Sequence, residues 1–142
     1  MPTLYSSIFT MANILFEDAQ LLANLTDEEL TELLEIFLDK SKSIYFKNCK
    51  KDLTDVDNTL KQFNETLTLE EEFILAEGIK LIWIERQLFK EEKLRDKIGN
   101  RDYQVHSPAN LIDKLIALKN DAKHNLLEMN VSYSFNEFEG FN

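Results

Sequence analysis

The chain has 142 residues, of which 44% are apolar, and it sets 26 Asp and Glu against 16 Lys and Arg for a formal charge of −10. That is enough apolar material for one buried core with little room for a second domain, and the acidic balance gives no electrostatic reason to approach nucleic-acid phosphates or anionic lipid. Three Gly and two Pro are too few for a turn-rich β architecture, which needs left-handed and fixed-φ positions far more often, so the composition predicts helices.

In chain order, residues 1–25 contain no Lys or Arg and are broken by Asn13, Glu17, Asp18 and Gln20, which does not describe a secretory signal. Ile8, Met11, Ala12, Leu15, Ala19 and Leu22 keep helical spacing, and a helix is expected there. A better-marked helix begins at Thr26, which stands at N-cap spacing from Glu29, and Asp27 and Glu28 suit the positive end of the helix dipole. Leu30, Leu33, Leu34, Phe37, Ser41, Ile44 and Tyr45 follow one helical face, giving a helix from about 27 to 47. Residues 52–58 break the periodicity with short polar side chains that favour local hydrogen bonds, so a loop or a short helical turn fits.

A second capping box pairs Thr68 with Glu71, and Glu70, Glu71 and Glu72 fill the first turn of the helix it opens. Phe73, Leu75, Ala76, Ile79, Leu81, Ile82, Trp83, Ile84, Leu88 and Phe89 then cover more than one stripe, which predicts a long central helix with Phe73 and Trp83 in the core. Gly78 inside that helix costs about 1 kcal/mol relative to Ala, and close approach by another element is the physical reason to expect it there. Gly99 follows a basic turn and reads as a C-terminal cap, with a connection over residues 100–106. Ser107 and Pro108 mark the start of another helix, whose stripe of Leu111, Ile112, Leu115, Leu118, Ala122 and Leu126 ends near Met129. From Val131 onward Val131, Tyr133 and Phe135 alternate with polar residues, and Phe138 and Phe141 follow among Glu137, Glu139 and Gly140. This strand rhythm predicts an extended C-terminal tail over 131–142, beyond a helical domain at 1–130. An isolated strand leaves its backbone groups unpaired, so the tail either lies along its own helices or adds to another subunit's sheet.

Few residues carry recognisable chemistry. Asp121 and His124 have the i, i+3 spacing found in metal-binding bundles, but His106 lacks a carboxylate three residues before it, so no metal site is expected. The run Glu70 to Glu72 is explained by first-turn amide groups without a ligand. Cys49, the single cysteine, forms no intramolecular disulfide, which suits a reducing cytoplasm, and neither it nor any serine sits beside a recognisable base. Three isolated glycines build no phosphate loop. The expectation is therefore a soluble all-α protein, a small helical bundle that is not an enzyme and needs no cofactor. Lys40, Lys42, Lys47, Lys50 and Lys51 form a basic cluster read as complementing a helix end. Residues 1–39 hold eight carboxylates and no Lys or Arg. Glu28, Glu32, Glu35 and Asp39 among them make either a solvated helix face or a surface that repels DNA or meets a basic partner.

Three segments in order, FNETLTLEEEFILAEGIKLIWIERQL (63–88), RDYQVHSPANLIDKLIAL (101–118) and VSYSF (131–135), resemble the small neck proteins of tailed bacteriophages, the head-to-tail adaptor or connector subunits that form a ring beneath the portal. The shared features are a capped helix leading to a Trp, an Asp-aromatic step before Ser-Pro-Ala-Asn, and a Tyr-containing end. The resemblance implies a homo-oligomeric ring that meets the portal protein on one side and a tail-side neck or tail protein on the other. DNA would be only passing cargo, no membrane would be involved, and the protein would reside in the virion neck after assembly in the host cytoplasm. Under it the tail residues Val131, Tyr133, Phe135, Phe138 and Phe141 would reach a neighbour or the portal, while the helices, whose core packing is expected from Phe73, Gly78, Trp83, Leu111 and Leu115, would form the ring wall. The alternative is an acidic helical inhibitor that binds a basic protein.

Overall fold

The computed structural model describes residues 2–15, 26–106 and 110–139. The elements are β1 (Thr3–Leu4), α1 (Tyr5–Leu15), α2 (Asp27–Lys40) continued by a π-helical turn (Ser41–Tyr45), β2 (Val56–Asp57), β3 (Gln62–Phe63), α3 (Leu69–Ile98), α4 (Asn100–His106) and α5 (Leu111–Glu139). The protein is mostly α-helical around a long central helix. At about 1.5 Å per residue α3 is about 45 Å long, and α1, α2, α4 and α5 all pack on it. Its first two-thirds bury Ile74, Leu75, Ala76, Ile79, Leu81, Trp83, Ile84 and Leu88, side chains pointing in all directions, which is why neighbours are needed on every side. After Leu88 the sequence turns charged, and α4 packs on α3 there, with Tyr103 donating to Glu91 at 2.7 Å.

Local signals place the helix ends. Thr68 accepts the Glu71 amide at 3.2 Å while the Glu71 carboxylate accepts the Thr68 amide at 2.8 Å, the full capping box. Thr26 accepts the Glu29 amide at 3.2 Å. Gly99 ends α3 at φ 86°, ψ 156°, a backbone region that L side chains rarely adopt, and its amide donates to the Arg95 carbonyl at 2.8 Å. The crowding expected at Gly78 is present. A Cβ there would overlap the Ser41 hydroxyl oxygen and stand 3.0 Å from the Ser41 Cβ, and that hydroxyl donates to the Leu75 carbonyl at 2.9 Å. The π turn begins at Ser41, the residue that meets α3 here.

Several expectations are corrected. The helix read as continuous to about 47 is α-helical only to Lys40 and then widens into the π turn. Residues 52–63 hold turns and two short strands, and β3 pairs antiparallel with both β2 and β1 in the order β1-β3-β2. Asp57 builds the turn between β2 and β3 by accepting the Thr59 and Leu60 amides, both at 2.9 Å. The connection expected over 100–106 is the helix α4, whose Tyr103 amide bonds the Gly99 carbonyl at 3.0 Å. The Ser107–Pro108 start lies outside the described residues, as do residues 16–25 of the first expected helix.

The largest correction concerns the end of the chain. Residues 131–139 are not an extended strand. They continue α5 without a break, ten residues past the expected end at Met129 and across the boundary drawn at 130/131. The buried positions Leu115, Ala122, Leu126 and Tyr133 are spaced seven, four and seven residues apart, a helical stripe that runs straight through the alternating segment. Tyr133 sits in the core of its own molecule at 4% exposure, whereas Val131 and Phe135, which alternate with it in sequence, are exposed on α5. Residues 140–142, including Phe141, lie outside the described residues.

Candidate functional site

Glu71 anchors the region where α5 meets the rest of the protein. Besides capping α3, its carboxylate accepts the Tyr133 hydroxyl at 2.7 Å and pairs with Lys51 Nζ at 3.2 Å, and the Cys49 Sγ lies 3.6 Å away. The Tyr133 oxygen in turn accepts the Lys50 amide at 2.9 Å, and its ring meets Phe46 edge-on at 5.0 Å between centroids. Asn130 donates to the Tyr45 carbonyl at 3.1 Å and Asn48 to the Ser134 hydroxyl at 2.9 Å. One buried carboxylate thereby ties together the start of α3, the 45–51 segment and the end of α5.

The electrostatics of this node favour structure over reactivity. Burial alone would raise the Glu71 carboxyl, but the Thr68 amide, the Tyr133 hydroxyl and the Lys51 ammonium together hold it below the usual carboxylate range. Burial raises the Tyr133 phenol, and the bond to Glu71 adds to that shift. Burial likewise pushes the Cys49 thiol up to about 11, so at neutral pH it is a thiol without the thiolate character of an activated nucleophile. Among the described residues no group of three or more His, Cys, Asp and Glu is placed to hold a metal ion. His124 pairs with Glu128 at 3.0 Å on the exposed side of α5. Among the described residues no helix is long and apolar enough to cross a membrane.

Around this node the surface is apolar. One cleft of about 400 Å³ lies between the 44–48 segment and α5, with Ile44, Val131 and Phe135 on its walls. A second, of about 540 Å³, lies between α2 and α3 and is lined by Ile36, Ile44, Ile82 and Phe89. Ile44 and Tyr45 belong to both, so the two make one continuous face. Ile36, Ile44 and Phe89 are 52%, 55% and 59% exposed, unusual for side chains of this size brought side by side. On the rim of the second cleft stand Lys40 and Arg86, with Lys47 on the first. Tyr45 fixes the junction by donating to Glu85 at 2.9 Å.

The residues singled out from sequence separate into groups. Gly78, Trp83 and Leu115 are buried, and Leu111 packs at the edge of the core. Phe73 is a correction: it is 37% exposed and lines a cleft with Leu69 and Met129 on the far side of α5. Tyr133, expected to reach a partner, is instead an internal anchor, while Val131 and Phe135 remain available. Of the acidic set, Glu28 and Glu32 are exposed, but Glu35 pairs with Lys61 and Asp39 with Lys42, each at 3.4 Å. The basic cluster also divides. Lys42 donates to the Leu53 carbonyl at 3.2 Å and Lys51 to the Thr66 carbonyl at 3.0 Å, holding loops together, whereas Lys40 and Lys47 are exposed.

Sequence reading missed the cleft of Ile36 and Phe89, and it missed Glu77. Glu77 is buried in α3, with Lys80 at 3.9 Å and no hydrogen-bond partner for its Oε1 among the described residues. Burial raises its carboxyl above the ordinary range, opposed by Lys80 and the Asn125 amide. No pattern in the sequence separates Glu77 from the other acids of α3. In comparisons with known proteins, no family model, no curated protein and no solved structure matches this chain.

Proposed function

We propose that this protein is a structural subunit of a tailed-phage neck, assembling into a ring that joins the portal to the tail and lets DNA pass. The observation that carries the reading is the continuous apolar face over Ile36, Ile44, Phe89, Val131 and Phe135 on a firmly anchored helical frame. A face of this kind on a small domain is suited to burial against other subunits. The resemblance over 63–88, 101–118 and 131–135 adds the class of assembly. The charge of −10 and the exposed Glu28 and Glu32 suit a subunit beside which DNA moves without being gripped. In this reading α5 supplies contact surface as a helix, and strand addition by the chain end plays no part. The portal is the partner on one side and a tail-side protein on the other, in the virion neck after assembly in the host cytoplasm. Quantitative mass spectrometry of purified particles tests the proposal: the protein is expected at ring copy number, and its absence from particles would sink it.

The exposed acids at the start of α2 favour a second reading, an inhibitor that occupies a basic protein in place of DNA. Such a protein is absent from particles and binds one basic target with an affinity that falls steeply with salt.

A further inference from the structure

We infer that the cleft between α2 and α3 receives the last stretch of α5, from Phe135 onward, of a second copy of this chain. The cleft has an apolar floor, with Ile36, Ile44 and Phe89 exposed on it, and carries Lys40 and Arg86 at its rim. Its acid, Glu85, is engaged by the Tyr45 hydroxyl at 2.9 Å. A cationic rim on a protein of charge −10 selects an occupant that is both apolar and acidic. Residues 135–142 have that composition: Phe135, Phe138 and Phe141 alternate with Glu137 and Glu139, and no Lys or Arg is among them. On α5 itself Leu127, Val131 and Phe135 already form an exposed apolar stripe at i, i+4 and i+8 leading into this segment.

Within its own molecule α5 runs away from the Phe89 end of that cleft. Tyr133 is bonded to Glu71 near the start of α3, and Asn125 lies beside Glu77 further along it, so α5 runs antiparallel to α3. Each residue of α5 from Tyr133 to Glu139 therefore leads away from Phe89, which stands about 27 Å beyond Glu71 along α3 at the helical rise. Docking along the cleft as far as Phe89 is therefore assigned to a second molecule. The donor end and the receiving cleft adjoin on one face, since Phe135 and Ile44 line the same neighbouring cleft, so two copies can exchange ends as a reciprocal pair, and successive one-way contacts build a ring or a chain. The inference stands on charge and position and does not require the phage reading, although it supplies that reading with a subunit contact.

The test uses the full chain in sedimentation velocity over a wide concentration range. Wild type is expected to self-associate, more weakly as salt rises. Ile44→Glu with Phe89→Glu breaks the cleft, Phe135→Ser with Phe138→Ser breaks the donor, and each chain alone is expected to lose association by about 100-fold or more. Mixed together they retain one intact cleft and one intact donor end, so they form a one-to-one heterodimer and nothing larger. Lys40→Glu, a change at an exposed side chain, keeps the test open if a double variant does not fold: association weakens several-fold and loses part of its salt dependence. A wild type that stays monomeric at every concentration, a mixture that forms no heterodimer, or association unaffected by Lys40→Glu would each overturn the inference. A monomeric wild type found in particles at ring copy number would reject this contact and leave the neck reading standing, whereas self-association of a protein absent from particles would do the reverse.

Discussion

Replacing Gly78 by Ala adds one methyl group at the point where α3 and the π turn of Ser41 lie against each other. The new Cβ would overlap the Ser41 hydroxyl oxygen and come within 3.0 Å of the Ser41 Cβ, so rotation of the hydroxyl relieves only part of the clash. Forcing extra volume into a close-packed contact costs about 1–3 kcal/mol. Turning the hydroxyl away also gives up its bond to the Leu75 carbonyl, worth about 1 kcal/mol. Ala returns about 1 kcal/mol of helix propensity, so the last two effects cancel and the overpacking remains. Gly78→Ala is therefore expected to lower stability by about 1–3 kcal/mol, which corresponds to a fall in Tm of roughly 4–10 °C for a chain of this size. Urea unfolding followed by far-UV circular dichroism measures it. Ser41→Ala removes the overlapping oxygen, so the double variant is expected to be more stable than the sum of the single changes by about 1–2 kcal/mol. A Gly78→Ala protein as stable as wild type, or more stable, would refute the argument, because propensity would then be the only term acting.

Other expectations follow from the buried polar groups and the special backbone positions. Tyr133→Phe removes a hydroxyl that donates to Glu71 and accepts from the Lys50 amide, and is expected to cost about 1–3 kcal/mol in denaturant unfolding; a neutral result would mean that water replaces the bond. The Glu71 carboxyl is held below its unfolded value of 4.5, so its contribution is present above that pH and is lost as pH falls through the folded value. Glu71→Gln is expected to flatten this acid limb in a pH series of unfolding free energies. Glu77 has the opposite sign. Its carboxyl is raised in the fold, so its contribution is fully present below pH 4.5 and is lost as pH rises through the folded value. Glu77→Gln should therefore raise stability at pH 7, and a clear loss at that pH would show that the Lys80 pairing outweighs desolvation. Gly99→Ala forces a side chain into φ 86° and is expected to cost about 1–3 kcal/mol, although nothing lies within 4 Å of the added methyl.

The readings that survived from sequence rest on interactions a few residues long. Thr26, Thr68 and Gly99 mark helix ends because a side-chain oxygen, or the absence of a Cβ, acts on backbone groups within one turn, and no distant part of the chain can move that interaction elsewhere. The apolar coverage of α3 likewise announced a helix that needs neighbours on all sides. Gly78 implies a close approach, but the packing of α2 on α3 decides that Ser41 is the approaching residue. The segment after Met129 has a strand-like pattern because three apolar residues at every second position satisfy a strand period, while Tyr133 alone also continues the spacing of Leu115, Ala122 and Leu126. Which period governs depends on whether a partner is waiting, and Glu71, 62 residues earlier, is that partner. The same holds for the surface. Ile36, Ile44, Phe73 and Phe89 look like core side chains by type, and only the directions in which α2, α3 and α5 cross leave them exposed around clefts. Local chemistry thus accounts for where the helices begin and end, whereas burial, which depends on long-range partners, decides which faces remain free for another molecule.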